Sequence, residues 1–82
     1  MPTATGKLFK AGRAERGSTL EEVGHVLGVN KQSVYAWEQG TAMPSGIKLA
    51  RLCAILKIKS SQLEKAVMED ALEAVRRRMR AA

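Results

Sequence analysis

One segment constrains the possible folds of this chain more than any other: residues 20–38, LEEVGHVLGVNKQSVYAWE. Its apolar and small residues have the spacing of two short helices in contact. Thr19 and Glu22 have the spacing of a capping box, in which two side chains satisfy the free backbone amides at a helix start. A helix is therefore predicted to begin at Leu20. Gly28 can adopt the left-handed conformation that ends a helix, so the turn is expected there.

A second helix is predicted over residues 31–39, with Asn30 as its N-cap and with Val34 and Trp37 facing inward. Gly24 lies inside the first helix, where glycine costs about 1 kcal/mol relative to alanine. Its presence is explained if the second helix crosses close above it. Two helices joined in this way form a helix-turn-helix, for which double-stranded DNA is the expected partner.

The composition indicates one small domain with a polyanionic partner. A chain of 82 residues with a net charge of +6 favours nucleic acid first and an anionic membrane surface second. Its apolar helix faces are needed for the core, so membrane binding is not expected. No stretch resembles a membrane span or a secretion signal, and a cytoplasmic protein is expected. One cysteine and one histidine allow no internal disulfide and no four-ligand zinc site, so neither a metal nor another cofactor is expected.

Two further helices are predicted on either side of this pair. The first runs over residues 6–16 with Thr5 as its cap, and its inward residues are Leu8, Phe9 and Ala11. The fourth follows Pro44 and Ser45 and is expected to lie in the middle of the core. Its apolar residues are Ile47, Leu49, Ala50, Leu52, Cys53, Ile55 and Leu56.

The last predicted helix, capped by Ser60, reaches about residue 79 and carries a separate apolar stripe. The stripe has the four-three-four spacing of a short coiled-coil seam and consists of Met68, Leu72, Val75 and Met79. Residues 5–63 already supply enough apolar side chains for a helix-turn-helix domain. Residues 64–82 are therefore interpreted as an extension that forms a homodimer. The alternative is that the stripe folds back on its own core.

Several features fall in register with a known family. They are Arg13 before Thr19, the capping box, Gly28, Trp37 and Glu38, Gly40, the PS that opens the fourth helix and the closing LARLCAILKIKSSQL. From about residue 7 to 63, the chain resembles the Cro/CI-type (XRE) family of phage and bacterial helix-turn-helix regulators. The resemblance implies an all-α, compact five-helix fold of the lambda-repressor type, here with an extended C-terminal helix. It also implies a buried ion pair between Arg13 and Glu38.

The chain departs from the family pattern at three places. Ser18 stands where an apolar residue is usual, and Lys57 replaces a glycine that often follows the fourth helix. The loop 41–44 has no basic residue. Minor-groove contacts from that loop, which relatives commonly make with Lys or Arg, are therefore not expected.

The second helix of the motif must place its first turns in the major groove, where each base pair displays a distinct pattern of donors, acceptors and methyl groups. Gln32 can pair with adenine, and Lys31 with guanine or a phosphate. The predicted base contacts are Lys31, Gln32, Ser33, Tyr35 and Ala36. The predicted phosphate contacts are Thr19, Leu20, Asn30, Lys10, Arg16 and Lys48. The alternative for these polar residues is an ordinary solvated helix face.

These features indicate a sequence-specific transcriptional regulator, with a Cro-like repressor as the default. It would bind a palindromic operator as a homodimer, with half-sites about 34 Å apart. The alternative is an antitoxin-like or adaptor protein whose last helix binds a protein partner. An enzyme is not expected, because the sequence has one histidine and offers no carboxylates paired across a plausible cleft, no metal cluster and no glycine-rich phosphate loop. No small-molecule ligand is expected.

Overall fold

The computed structural model describes residues 2–81, which form five α-helices without a strand. The helices are α1 (Ala4–Glu15), α2 (Leu20–Leu27), α3 (Lys31–Gln39), α4 (Gly46–Leu56) and α5 (Ser60–Ala81). The all-α, five-helix prediction is therefore confirmed for this part of the chain. Ala82, the last residue of the predicted extension, lies outside the described residues. None of the five helices is long and apolar enough to cross a membrane.

Short-range hydrogen bonds set the ends of α2 and α3. Thr19 Oγ1 accepts a bond from Glu22 N at 3.1 Å, and Glu22 Oε1 accepts one from Thr19 N at 3.0 Å, which completes the capping box. Asn30 Oδ1 caps α3 by accepting a first-turn amide at 2.9 Å. Gly28 ends α2 at φ +72° and Gly40 ends α3 at φ +78°, a region that favours glycine. The predicted bounds of both helices are confirmed.

The first helix lies at the centre of the fold, because α1 contacts α3, α4 and α5. Phe9 of α1 is almost completely buried among core side chains of the next three helices, namely Val23, Leu27, Val34, Trp37, Leu52 and Leu56. The prediction that α4 lies in the middle of the core is wrong. Leu52 and Leu56 of α4 are buried, and its half-buried Leu49, Cys53 and Ile55 pack against the core, but Ile47 is 72% exposed. The helix therefore packs by one face only.

The start of α1 differs from the prediction. Thr3 is the N-cap, since its Oγ1 accepts a first-turn amide at 2.9 Å. Thr5 lies inside the helix, is buried, and donates its hydroxyl hydrogen to Asp70 of α5 at 2.6 Å. Both threonines have side chains that can cap a helix, and the contact with α5 decides between them. Ala11, expected to face inward, is exposed, and α1 ends at Glu15, one residue before the predicted end.

The turn between α2 and α3 explains Gly24. A Cβ added to Gly24 would lie 2.7 Å from the carbonyl oxygen of Val29 and 3.3 Å from the carbonyl carbon of Asn30. The expectation that α3 itself crosses over this glycine is therefore corrected. The backbone of the turn comes this close, and any side chain at position 24 would displace it.

The fifth helix continues without a break for 22 residues, across the boundary predicted between residues 63 and 64. The prediction that Ser60 caps this helix is wrong, because Ser60 is already inside α5. Instead, the amide of the preceding Lys59 donates to Gln62 Oε1 at 2.9 Å. The first half of α5 packs on α1, where Ala66 is buried and Asp70 Oδ1 accepts a bond from Ala4 N at 2.7 Å.

Candidate nucleic-acid interface

A side-chain contact links the first turn of α2 to the start of α3. Lys31 Nζ, on the first residue of α3, lies 3.4 Å from Glu21 Oε1 in the first turn of α2. The first amides of a helix have no partner within the helix, and they form the positive end of its dipole. The positive ends of both helices therefore lie on one surface. This surface, made of the first turns of α2 and α3, is called the α2–α3 surface below.

The predicted base-contact residues differ in how exposed their side chains are. Lys31, Gln32 and Tyr35 are exposed, and Tyr35 retains 54% of its accessible area. Ser33 and Ala36 are half-buried. The other side of α3 carries Val34, Trp37 and Glu38, all of which are buried. The core thus fixes the rotation of α3 about its axis and turns its polar first residues away from the protein.

Capping determines which hydrogen-bonding groups Ser33 and Asn30 can offer to DNA. Ser33 Oγ lies 3.0 Å from Asn30 Oδ1, to which it donates, and the same oxygen accepts the amide of Ser33. While the cap is intact, Ser33 offers DNA an acceptor and no hydroxyl hydrogen. Asn30 keeps its side-chain amide group, which can donate to a phosphate.

The start of α2 combines features that attract and repel a phosphate. Thr19 is exposed and Leu20 is half-buried, and the amide of Leu20 belongs to the first turn. The same turn holds two carboxylates, Glu21 and Glu22, which the prediction did not weigh. Lys31 partly offsets Glu21 through the 3.4 Å contact. An exposed pair of this kind contributes about 0 to 1 kcal/mol, so Lys31 can exchange Glu21 for DNA at small cost.

The three basic residues predicted to flank the DNA lie on other helices. Lys10 is exposed on α1, Arg16 is exposed at the C-terminal end of α1, and Lys48 is half-buried on α4. Within residues 2–81, no hydrogen bond or ion pair joins them to the α2–α3 surface. Their role as phosphate contacts stays a prediction.

A nearly buried ion pair fixes α3 against α1. Arg13 Nε lies 2.6 Å from Glu38 Oε2, and Nη2 lies 3.0 Å from Oε1, so the pair is bidentate. The hydrogen bond with Glu38 raises the pKa of Arg13 above its ordinary value, against the opposing effect of burial. Nη1 of Arg13 also donates to the carbonyl oxygen of Ser18 at 2.9 Å. This bond uses the backbone of Ser18 and does not depend on its side chain.

Sequence reasoning missed a close contact between α1 and the end of α3. A Cβ added to Gly6 would overlap the carbonyl oxygen of Glu38. Only glycine at position 6 therefore allows α1 to approach α3 this closely. No sequence signal pointed to this contact, because the predicted helix begins at residue 6, where the cost of about 1 kcal/mol for a glycine inside a helix does not apply. This contact and the ion pair hold the C-terminal end of α3 while its N-terminal end remains exposed.

Comparison with known proteins assigns the chain to a family with this motif. The family model described as helix-turn-helix matches residues 9–63, which is more than half of the chain. The match includes the α2–α3 surface and both partners of the Arg13–Glu38 pair. No curated protein matches the chain. The chain therefore belongs to the helix-turn-helix family of the XRE, or Cro/CI, type, whose members are DNA-binding regulators.

Proposed function

We propose that this protein is a Cro-like repressor that binds double-stranded DNA sequence-specifically, as a homodimer, at a palindromic operator in the bacterial cytoplasm. The supporting observation is the α2–α3 surface, where the exposed polar start of α3 is linked to the first turn of α2 by the contact between Lys31 and Glu21. A major groove about 12 Å wide admits a helix of this kind. The first helix of the motif then crosses the sugar-phosphate backbone.

In this arrangement, the first two turns of α3 read the bases. Gln32 is placed to form a bidentate pair with adenine, and Lys31 to donate to guanine. Tyr35 and Ala36 follow one turn later on the same side, where the Ala36 methyl group can contact a thymine methyl. Ser33 contributes an acceptor, for which the cytosine amino group is a suitable donor.

The phosphate contacts proposed for α2 and the turn come from neutral groups at helix starts. They are the Thr19 hydroxyl, the Leu20 amide and the Asn30 side-chain amide. Lys10, Arg16 and Lys48 are proposed to add charge at the flanks, and their contribution would appear in the salt dependence of binding.

The homodimer is supported by the outer face of α5. Met68, Leu72, Val75 and Met79 are between 47% and 72% exposed, so they do not fold back on their own core. Two copies joined through this face would present two recognition helices to the DNA. The half-sites would then lie about 34 Å apart, and occupancy of a promoter would block polymerase.

Selection of bound sequences from a random duplex library, using the full chain, tests the proposal. We expect enrichment of an inverted repeat whose half-site centres are about 10 base pairs apart. Light scattering of the complex should give two protein chains per duplex. Recovery of no shared sequence would contradict the proposal and would favour a protein partner for this fold.

A further inference from the structure

The apolar stripe of α5 lies on the side of the helix that faces away from α1. The residues turned toward α1 are Leu63, Ala66, Asp70 and Glu73, which are buried or half-buried. With 3.6 residues per turn, the stripe Met68, Leu72, Val75 and Met79 lies about half a turn away from them. The stripe is therefore open along its whole length.

The charges of α5 change sign along its length. The acidic residues Glu64, Glu69, Asp70 and Glu73 come first, with Lys65 as the one basic residue among them, and the basic residues Arg76, Arg77, Arg78 and Arg80 follow. Glu73 lies within 3.4 to 3.9 Å of Arg76, Arg77 and Arg80, and Asp70 is bonded to α1. Glu69 and Arg78 have no ion-pair partner within residues 2–81.

We propose that two copies of this chain pair through α5 in antiparallel orientation, with the two-fold axis crossing between Leu72 and Val75. This inference rests on the proposed homodimer and specifies its geometry. Met68 then packs on Met79 of the second copy, and Leu72 packs on Val75 of the second copy. Every contact occurs twice, as a two-fold interface requires.

Charge complementarity selects the antiparallel orientation. Glu69 and Arg76 flank the same side of the stripe, each one residue after a stripe position. In the antiparallel pair, Glu69 lies beside Arg76 of the second copy, which gives two symmetric ion pairs. In a parallel pair, the arginine-rich ends would lie together and Glu64 would lie beside Glu69, so like charges would repel at both ends.

The length of the stripe is compatible with such a pair. Positions 68 and 79 are about 16 Å apart along the axis at a rise of 1.5 Å per residue. An isolated helix of this length is marginal in water. Here the helix is already formed, because its first half packs on α1. Pairing therefore orders little additional backbone.

Disulfide trapping distinguishes the two orientations. In a Cys53→Ser background, Met68→Cys and Met79→Cys chains of different tag length are oxidised separately and as a mixture. The antiparallel pair predicts a disulfide only in the mixture, between positions 68 and 79. Identical positions would be about 16 Å apart, beyond the roughly 7 Å limit between Cα atoms. Disulfides within each separate sample would overturn the proposal.

Charge reversal provides a second test that leaves the stripe intact. Glu69→Arg and Arg76→Glu should each raise the dimer dissociation constant about tenfold, because each places like charges together twice. The double variant restores opposite charges and should return near the original value. Glu15→Arg, an exposed change on α1, is the matched control and should have no effect. Failure of the double variant to recover would contradict this register.

These results separate the geometry from the proposed function. If the chain selects an operator but cross-links in parallel, only the orientation is wrong. If the 68–79 disulfide forms and no operator is selected, the orientation stands and repression is wrong. A monomer in light scattering, with no disulfide in any sample, overturns the dimer itself.

Discussion

The carboxylate of Asp70 in α5 accepts the hydroxyl hydrogen of Thr5 in α1 at 2.6 Å, and it also accepts the first two amides of α1 at 2.7 and 3.1 Å. A side chain from the last helix thus caps the first. Burial alone would raise the pKa of Asp70, but the hydrogen bonds from Thr5 and Ala4 outweigh it and the pKa falls below its ordinary value. The ionised form is therefore the one that stabilises the fold.

Replacing Asp70 with Asn should destabilise the protein by about 1 to 3 kcal/mol at pH 7, because an amide cannot accept all three bonds. The folded-state pKa is lowered, so the stabilisation is present above the unfolded value of about 4 and disappears as pH falls through the folded value. Urea unfolding followed by Trp37 fluorescence at pH 7 and pH 3 measures the difference. The same difference in free energy of unfolding between the original protein and the Asp70→Asn variant at both pH values would contradict an ionic origin.

The Arg13–Glu38 pair predicts an asymmetry between two single substitutions, one at each partner. Arg13→Ala leaves Glu38, which is only 3% exposed, as an unpaired buried charge and should cost about 3 to 5 kcal/mol. Glu38→Gln leaves Arg13, whose side chain is 17% exposed, able to reach water, so a smaller loss is expected. Denaturant titration of both variants tests this. A larger loss for Glu38→Gln would reverse the expected order.

Lys57 is the one residue other than glycine with positive φ in the described chain, at +54°. This left-handed position costs a side chain about 1 kcal/mol relative to glycine. Lys57→Gly is therefore expected to raise the free energy of unfolding by about that amount. Lys57→Ala removes the charge without relieving the backbone and serves as the control. If both variants gain the same free energy of unfolding, the removed charge and not the backbone conformation is responsible.

Gln32→Ala tests base recognition by α3. The loss on the selected operator should be about 1 to 3 kcal/mol, with relaxed preference at one base pair, because the side chain is proposed to pair with a single adenine. Fluorescence anisotropy with operator and random duplexes at the same salt concentration measures both affinities. Equal losses on the two duplexes would remove Gln32 from base readout.

Lys48→Ala tests the proposed phosphate contact at the flank of the DNA site. A phosphate contact carries no sequence information, so the variant should weaken binding to operator and random DNA alike. It should also lower the slope of log affinity against log salt by about one unit. An unchanged salt slope would show that Lys48 does not contact a phosphate.

The sequence permits prediction of α2 and α3 because their ends depend on residues three or four positions apart. Thr19, Glu22, Gly28 and Asn30 act locally, and no distant part of the chain overrides them. The cap of α1 is different, since Thr3 and Thr5 are chemically equivalent until Asp70, 65 positions away from Thr5, reaches one of them. The residues near Thr3 and Thr5 in the sequence therefore do not distinguish the two threonines.

The fourth helix shows a second limit of sequence reasoning. Its many apolar residues suggest burial on all sides, yet Ile47 and Ala50 are exposed because only one face of α4 meets α1 and α2. For the site, periodicity is sufficient to place the polar start of α3 outward. It does not reveal the contact between Lys31 and Glu21, which depends on how the two helices lie against each other.

The most direct test is to titrate the labelled protein with its selected duplex and record amide chemical shifts by nuclear magnetic resonance. We predict that the largest changes fall on residues 19–21 and 30–36, with smaller changes near Lys48. Residues on the opposite side of α3, such as Trp37, should shift little. Changes confined to α5 or α4, with the start of α3 unaffected, would contradict recognition of DNA by this helix.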